Sequence, residues 1–326
     1  MQANVAAASA SDDPFAADWE TPFGLPPFER IAPEHFAPAF ASAMDEQRQQ
    51  VDVIAADPAE PSFDNTIAAL ELGGRRLRRV AAVFFNLTGA HTNDALQAIE
   101  REMAPRLAKH RNDIFMNEAL FRRVEAVHDR RDTLGLDAEQ KRVLARYHTI
   151  FTRAGACLAP HGKQRLAAIT ERLATLGTQF SQNVLADEKD YTLVLERDDD
   201  LAGLPDFARA AAAQAAAERG LAGKHVITLS RSSIEPFLQF SKRRDLREQA
   251  FRAWIGRGDQ GGATDNKAIV AEMVALRAER AKLLGYETFA HFKLADMMAK
   301  TPAAVLGLLD EVWGPARIRA EQEADA

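Results

Sequence analysis

The 326-residue sequence contains a single cysteine, Cys157. One cysteine excludes an intramolecular disulfide and any CxxC redox or metal motif, and it favours a reducing compartment. Placed between Gly155 and Leu158, Cys157 is predicted to be a small buried apolar group. No apolar run approaches the roughly 20 residues that a membrane-spanning helix needs. The first residues lack the basic and leucine-rich segments of a secretory signal. These absences predict a cytoplasmic protein with no membrane partner.

The sequence has fewer basic than acidic residues. Lys and Arg number 41 against 47 Asp and Glu, which gives a net charge of −6 and an isoelectric point near 5.8. A mildly acidic chain is not expected to bind nucleic acid through its backbone charge. A basic cluster on one predicted helix is expected to form a solvated face paired with nearby acids. Its members are Arg75, Arg76, Arg78 and Arg79.

Complete catalytic and metal-binding motifs are missing. None of the eight histidines is four residues from another, so HExxH does not occur, and neither does GxSxG. The spacings nearest to a metal motif are His128 with Asp132 and His91 with Asp94. Two ligands are fewer than the three protein groups of a typical zinc site. The last pair is better interpreted as helix-capping residues. We therefore expect no catalytic residue, no metal ligand and no bound zinc in this chain.

A glycine-rich segment spells GxGxxG between Gly256 and Gly261. The dinucleotide-binding form of this motif follows a strand. Here the preceding residues have helical spacing, so the segment is predicted to be a loop between two helices.

Helical periodicity dominates the rest of the sequence. Ser62 or Asp64 is predicted to cap one helix, Thr92 to open the next, and Asp137 with Gln140 to form a capping box. Thr301 and Pro302 predict another helix start. The first of these helices is predicted to carry one continuous apolar face, made of Ile67, Leu70, Leu77, Val80, Phe84 and Leu87.

Two short segments alternate as strands do. Tyr191–Leu195 and His225–Leu229 are rich in β-branched and aliphatic residues, and we predict that they pair antiparallel. The predicted fold class is therefore all-α, with antiparallel helix packing and one small antiparallel β pair.

The two ends of the chain give further expectations. Residues 1–18 are mostly small or polar and predict a flexible terminus. A proline-rich segment follows and is expected to be held to the core by Phe23, Leu25, Phe28 and Phe36. The last helix has an apolar face with no partner downstream, so self-association through an uncovered seam is expected. This predicted face consists of Val305, Leu308, Leu309, Val312 and Trp313.

Several sequence blocks, in a fixed order, resemble one protein family. They are TPFGLPPFERIAPEHFAPAF, SFDNTIAALE, FFNLTGAHTNDALQAIEREMAPRLAKH, LATLGTQFSQNVLADE, YTLVL followed by LAGLP, LREQAFRAWIGRG, and DNKAIVAEMVALRAERAKLLGYETFAHFKLADMMAKTP. The resemblance is to the amino-terminal half of the thimet-oligopeptidase-like zinc metallopeptidases, with the bacterial peptidyl-dipeptidase and oligopeptidase A type as the nearest branch.

The resemblance implies a two-lobed helical peptidase with a deep channel that admits short peptides. It implies Zn²⁺ on an HExxH helix, whose glutamate takes a proton from the zinc-bound water. It also implies a helical domain over 19–235 and the start of the catalytic region over 236–326, ending before HExxH. The chain is then expected to be inactive alone. The alternative is a non-catalytic helical scaffold that binds peptides or partner helices. Endopeptidase cleavage and dipeptide release both remain open.

Overall fold

The computed structural model describes residues 13–325, and helices make up most of them. The strands β1 (Leu193–Leu195) and β2 (His225–Ile227) pair antiparallel, with Leu193 opposite Ile227. The predicted all-α fold with one small β pair is confirmed. The α-helices are α1 (Phe36–Ala56), α2 (Ala69–Leu72), α3 (Arg75–Ala90), α4 (Asp94–Phe115), α5 (Glu118–Asp129), α6 (Ala138–Arg153), α7 (Pro160–Asp190), α8 (Asp206–Ala217), α9 (Arg231–Phe240), α10 (Arg244–Ile255), α11 (Lys267–Leu283), α12 (Phe289–Leu294) and α13 (Pro302–Ala324).

The chain divides into two compact units. Unit 1 comprises Met1–Thr175 with Ala275–Ala326, and unit 2 comprises Leu176–Val274. The described residues of unit 1 form two separate apolar cores. The first includes Ile54, Leu120, Val124, Leu144 and Phe151. The second includes Phe15, Phe36, Phe40, Phe84 and Met103.

The predicted continuous helix face from Ile67 to Leu87 is wrong. A glycine pair separates α2 from α3, and Gly74 has a φ of +66°, a conformation that favours glycine. Because of this break, Ile67 and Leu70 pack into the first core of unit 1. Val80 and Phe84, beyond the break, pack into the second core. The apolar residues of this one periodic pattern thus belong to two different cores.

Predicted helix starts are mostly confirmed. The Ser62 hydroxyl accepts a 3.1 Å hydrogen bond from the backbone N–H of Asn65 at the start of a π-helical turn. Asp137 and Gln140 form the reciprocal capping box of α6, and Thr301 caps α13. The cap of α4 differs from the prediction: it is Asn93, whose side chain accepts from the N–H of Leu96, and not Thr92 or His91. Asparagine supplies a short side-chain acceptor at the position that needs one.

The anchoring of the proline-rich segment was predicted wrongly at three of four positions. Phe23 is 99% exposed, and Leu25 and Phe28 are also exposed. Of the four predicted anchors, only Phe36 is buried. The segment folds into short 3-10 turns that satisfy much of their own backbone hydrogen bonding, so its apolar side chains need not enter the core. Phe15 is the buried anchor instead, with its ring centroid 5.5 Å from that of Phe36.

The predicted flexible terminus, residues 1–18, overlaps this anchor. Residues 1–12 lie outside the described part of the chain. Phe15 falls within the rest of it, where sequence composition suggested that little would be buried. The Trp19 indole donates a 2.8 Å hydrogen bond to the carbonyl oxygen of Pro14, which fixes the turn around Phe15.

Unit 2 is built around the two-stranded sheet. Leu193 and Leu195 of β1, Ile227 of β2 and Phe237 of α9 form its core. Asp200, almost fully buried, accepts hydrogen bonds from the backbone N–H groups of Glu196 and Arg197 and pairs with Arg243. The apolar side chains packed around the small sheet give unit 2 a core of its own.

Candidate functional site

The two spacings nearest to a metal motif, His128 with Asp132 and His91 with Asp94, belong to no cluster of three possible metal ligands in the described part of the chain. His128 of α5 lies against His148 of α6, with ring centroids 3.9 Å apart and ring planes 12° from parallel. Stacked rings share faces and do not direct their nitrogens at one point between them. Burial, and then the neighbouring His128, lower the pKa of His148.

Within residues 13–325 the structure contains no group of three or more His, Cys, Asp or Glu side chains that could hold a metal ion. The described residues therefore do not fit a zinc site by themselves, since such a site normally uses three or four protein ligands. No catalytic step is assigned to them through a metal.

The glycine-rich loop follows α10, as predicted, and not a strand. One carboxylate oxygen of Asp187 accepts a 2.7 Å hydrogen bond from the backbone N–H of Gly258, and the other accepts one from the Thr264 hydroxyl. A phosphate-binding loop offers free N–H groups to an anion. Here a carboxylate of the chain itself occupies that position, so the loop is a structural turn.

Two of the four arginines in the basic cluster of α3 pair with acids, as predicted, whereas Arg78 donates to backbone carbonyl oxygens. Arg76 contacts Asp13 and Glu46, and Arg79 contacts Asp18. Two of these three acids belong to the segment around Phe15. The arginines therefore hold that segment against α3.

The prediction of a buried Cys157 is wrong, because the residue is exposed. It lies in the short connection between α6 and α7, where the chain turns at the surface. The neighbouring residues Gly155 and Ala156 are the buried ones.

The helix α13 carries the apolar face that the sequence predicted to be uncovered. None of its residues is buried, although its start is capped and regular. We call Leu308, Leu309, Val312 and Trp313 the α13 face; their exposed fractions lie between 56% and 66%. An apolar surface of this kind marks a site of contact with another helix or chain. By contrast, Ile269 of helix α11 is buried.

Comparison with known proteins confirms the resemblance seen in the sequence blocks. Residues 237–325 match the family model of Peptidase family M3. The chain is 42% identical over 311 residues to a dipeptidyl carboxypeptidase of Escherichia coli (strain K12), covering 95% of this chain and 46% of that protein. It is 32% identical over 307 residues to oligopeptidase A of the same organism, covering 93% of this chain and 45% of that protein. The sequence is therefore similar to thimet-oligopeptidase-like metallopeptidases.

The similarity extends to a yeast protein at lower identity. Saccharolysin of Saccharomyces cerevisiae (strain ATCC 204508 / S288c) is 26% identical over 204 residues, 62% of this chain. The chain spans less than half the length of each of these relatives. Among the described residues, no helix combines the length and apolar character needed to cross a bilayer.

Proposed function

We propose that this chain is the amino-terminal, channel-forming part of a cytoplasmic zinc metallopeptidase that hydrolyses short peptides. In this proposal residues 19–235 form its helical amino-terminal domain and residues 236–326 begin the catalytic region. The observation that carries the proposal is the similarity to a dipeptidyl carboxypeptidase over 95% of this chain and only 46% of the relative.

The chemistry of the reaction is assigned to residues outside this chain. Metallopeptidases with HExxH place two histidines on one face of a helix, with the glutamate as general base. This sequence has no HExxH, and its described residues offer no three-ligand cluster. We therefore propose that the chain is inactive alone and that zinc binds to ligands supplied by the remaining part of the peptidase.

The α13 face supports the proposal that the remaining part of the peptidase packs against this chain. It belongs to the residues that match Peptidase family M3, and it is apolar and uncovered. Burial of apolar surface stabilises an interface by about 25 cal/mol per Å². We propose that helices of the catalytic region pack on this face in the complete enzyme.

A complementation experiment tests the proposal. The chain is combined with the part of the Escherichia coli dipeptidyl carboxypeptidase that it does not cover, and hydrolysis of short peptides is measured with zinc and with a chelator. We expect hydrolysis only when both parts and zinc are present. A substrate with a blocked carboxyl terminus then distinguishes endopeptidase cleavage from dipeptide release.

Two variants sharpen the test. Leu309→Lys on the α13 face should abolish complementation, whereas Leu72→Lys, at another exposed leucine, should preserve it. Peptide hydrolysis by the isolated chain in the presence of chelator would contradict the proposal. Peptide binding without hydrolysis in the combined sample would favour the alternative of a non-catalytic scaffold.

A further inference from the structure

A cavity of about 330 Å³ in unit 1 is lined by an excess of positive charge. It lies among α4, α6, α7, α11 and α12, and every lining residue belongs to unit 1. Its volume is at the lower end of the range of small-molecule sites. Its charged lining consists of Arg111, Arg146, Arg153, Arg280 and Lys293, with Asp296 as the one acid.

The single carboxylate does not balance the cations. Asp296 pairs with Arg146, and its carboxylate oxygen lies 3.9 Å from Nε of Arg153. In the described part of the chain, the structure shows no carboxylate partner for Arg111, Arg280 or Lys293. Three positive charges around the cavity are therefore left without an opposing charge.

Two of the guanidinium groups are also short of hydrogen-bond acceptors. Nη1 of Arg153 and Nε of Arg280 are buried and have no hydrogen-bond partner. Buried donors to which nothing is bonded cost free energy, and charged ones cost more than neutral ones. Such atoms indicate that the polar lining is incomplete as it stands.

An aromatic ring holds two of these guanidinium groups in place. The guanidinium carbons of Arg153 and Arg280 lie 4.2 and 4.9 Å from the ring centroid of Phe292. Cation–π contact with one ring fixes both guanidinium groups close to each other. Burial, and then the charges of Arg111 and Arg153, lower the pKa of Arg280, as expected for a cation in a positive field.

We propose that this cavity binds a small, multiply charged oxyanion. Arginine presents its N–H donors in a planar fork that matches the oxygens of phosphate and carboxylate groups. An anion with two or more charges would offset the cations that Asp296 leaves unpaired, whereas a halide would offset only one. Arg153 and Arg280 are held against Phe292 before binding, so little ordering of these two side chains opposes it.

The position of the cavity gives such an anion a structural consequence. Helices α11 and α12 lie within the residues that match Peptidase family M3, and α4 and α6 precede that range in the chain. An anion bound between these helices would join the two parts of unit 1 through shared hydrogen bonds. This proposal does not depend on peptidase activity.

The proposal is tested by thermal unfolding and calorimetric titration of the chain with sodium pyrophosphate, citrate and chloride at constant ionic strength. We expect saturable binding and a rise in melting temperature with pyrophosphate, because a ligand that binds the folded state stabilises it. Chloride should have no comparable effect. Citrate and pyrophosphate together distinguish a carboxylate ligand from a phosphoryl ligand, and saturable binding of either supports the oxyanion site.

Variants identify the binding residues. Arg111→Met and Lys293→Met change exposed side chains and should fold, and each should weaken binding about tenfold or more, since charge-assisted hydrogen bonds are lost. Arg280→Met should abolish the anion-dependent rise while leaving the anion-free melting temperature unchanged or higher. Arg142→Met, on α6 but outside the cavity lining, is the matched control and should bind as the parent does.

Three results would overturn the proposal. They are an equal response to chloride and pyrophosphate at the same ionic strength, the absence of saturable binding to either oxyanion, and unchanged affinity in all three cavity variants.

Discussion

Helices α1 and α13 both belong to unit 1 and are similar in length, with 21 and 23 residues. In α1 seven residues are buried, among them Phe36 and Phe40, whereas α13 buries none. Both helices carry apolar residues on one side. The difference lies in their neighbours, because α1 packs against α3, α4 and α5. An apolar stripe predicts a surface that needs covering, and only tertiary structure determines whether it is covered.

The largest expected effect tests this contrast directly. Phe40→Ala in α1 removes a fully buried ring that meets Phe84 edge to face at 5.3 Å. The loss of apolar burial and the resulting cavity should lower the free energy of unfolding by about 3–5 kcal/mol. Trp313→Ala on the α13 face should change it by less than about 0.5 kcal/mol. Urea denaturation of both variants measures the difference. Equal losses would mean that α13 is packed in solution.

A second pair of variants compares two glycines. Gly74 has a positive φ, and an added Cβ would clash with Nε2 of Gln47, whose side-chain oxygen bonds to His110. Gly74→Ala should therefore lower the free energy of unfolding by about 1–3 kcal/mol, through backbone strain and displacement of Gln47. Gly307 of α13 has open space where the Cβ would be.

Gly307→Ala is the control for this pair. Alanine favours a helix interior over glycine by up to about 1 kcal/mol. Because α13 buries nothing, that gain should appear as slower hydrogen exchange within α13, with global unfolding unchanged. A loss of global stability in Gly307→Ala would contradict the exposure of this helix.

The sequence could predict features that depend on neighbours along the chain. The capping box of Asp137 with Gln140, the Thr301 cap and the antiparallel strand pair all follow from local chemistry, and all are present. The break at Gly74 was missed because the apolar stripe stays in phase across it. The burial of Phe15 and the exposure of Phe23 were missed because surface segments have no period that indicates which side faces the core.

The candidate sites differ in the same way. The α13 face could be predicted, since its residues recur at helical spacing on one element. The cation-lined cavity could not, because Arg111, Arg153 and Arg280 lie on three helices and only folding brings them together. No spacing in the sequence relates them. A surface formed by one helix can be predicted from the sequence, whereas a cavity formed by several helices cannot.

The uncovered face also predicts association. The isolated chain should self-associate as its concentration rises, because the α13 face is a contiguous apolar surface. Leu309→Lys combined with Val312→Lys should reduce the apparent mass to that of a monomer in light scattering. Leu72→Lys, at an exposed leucine outside α13, should not. A parent chain that stays monomeric over the full concentration range would contradict this prediction.

The smallest expected effect concerns pH and the stacked pair of His128 and His148. The lowered pKa of His148 means that the folded state binds fewer protons than the unfolded state below about pH 6.5, the ordinary histidine value. Stability should therefore fall as the pH is lowered through this region, because the unfolded state takes up the proton first.

His148→Phe keeps an aromatic ring beside His128 and Phe121 but cannot be protonated. Between pH 7 and pH 5.5 its melting temperature should fall by about 1–2 °C less than that of the parent. His161→Phe, at an exposed site on α7, controls for the loss of one histidine. If His148→Phe and the parent lose the same stability over this range, His148 does not contribute to the acid sensitivity of unit 1.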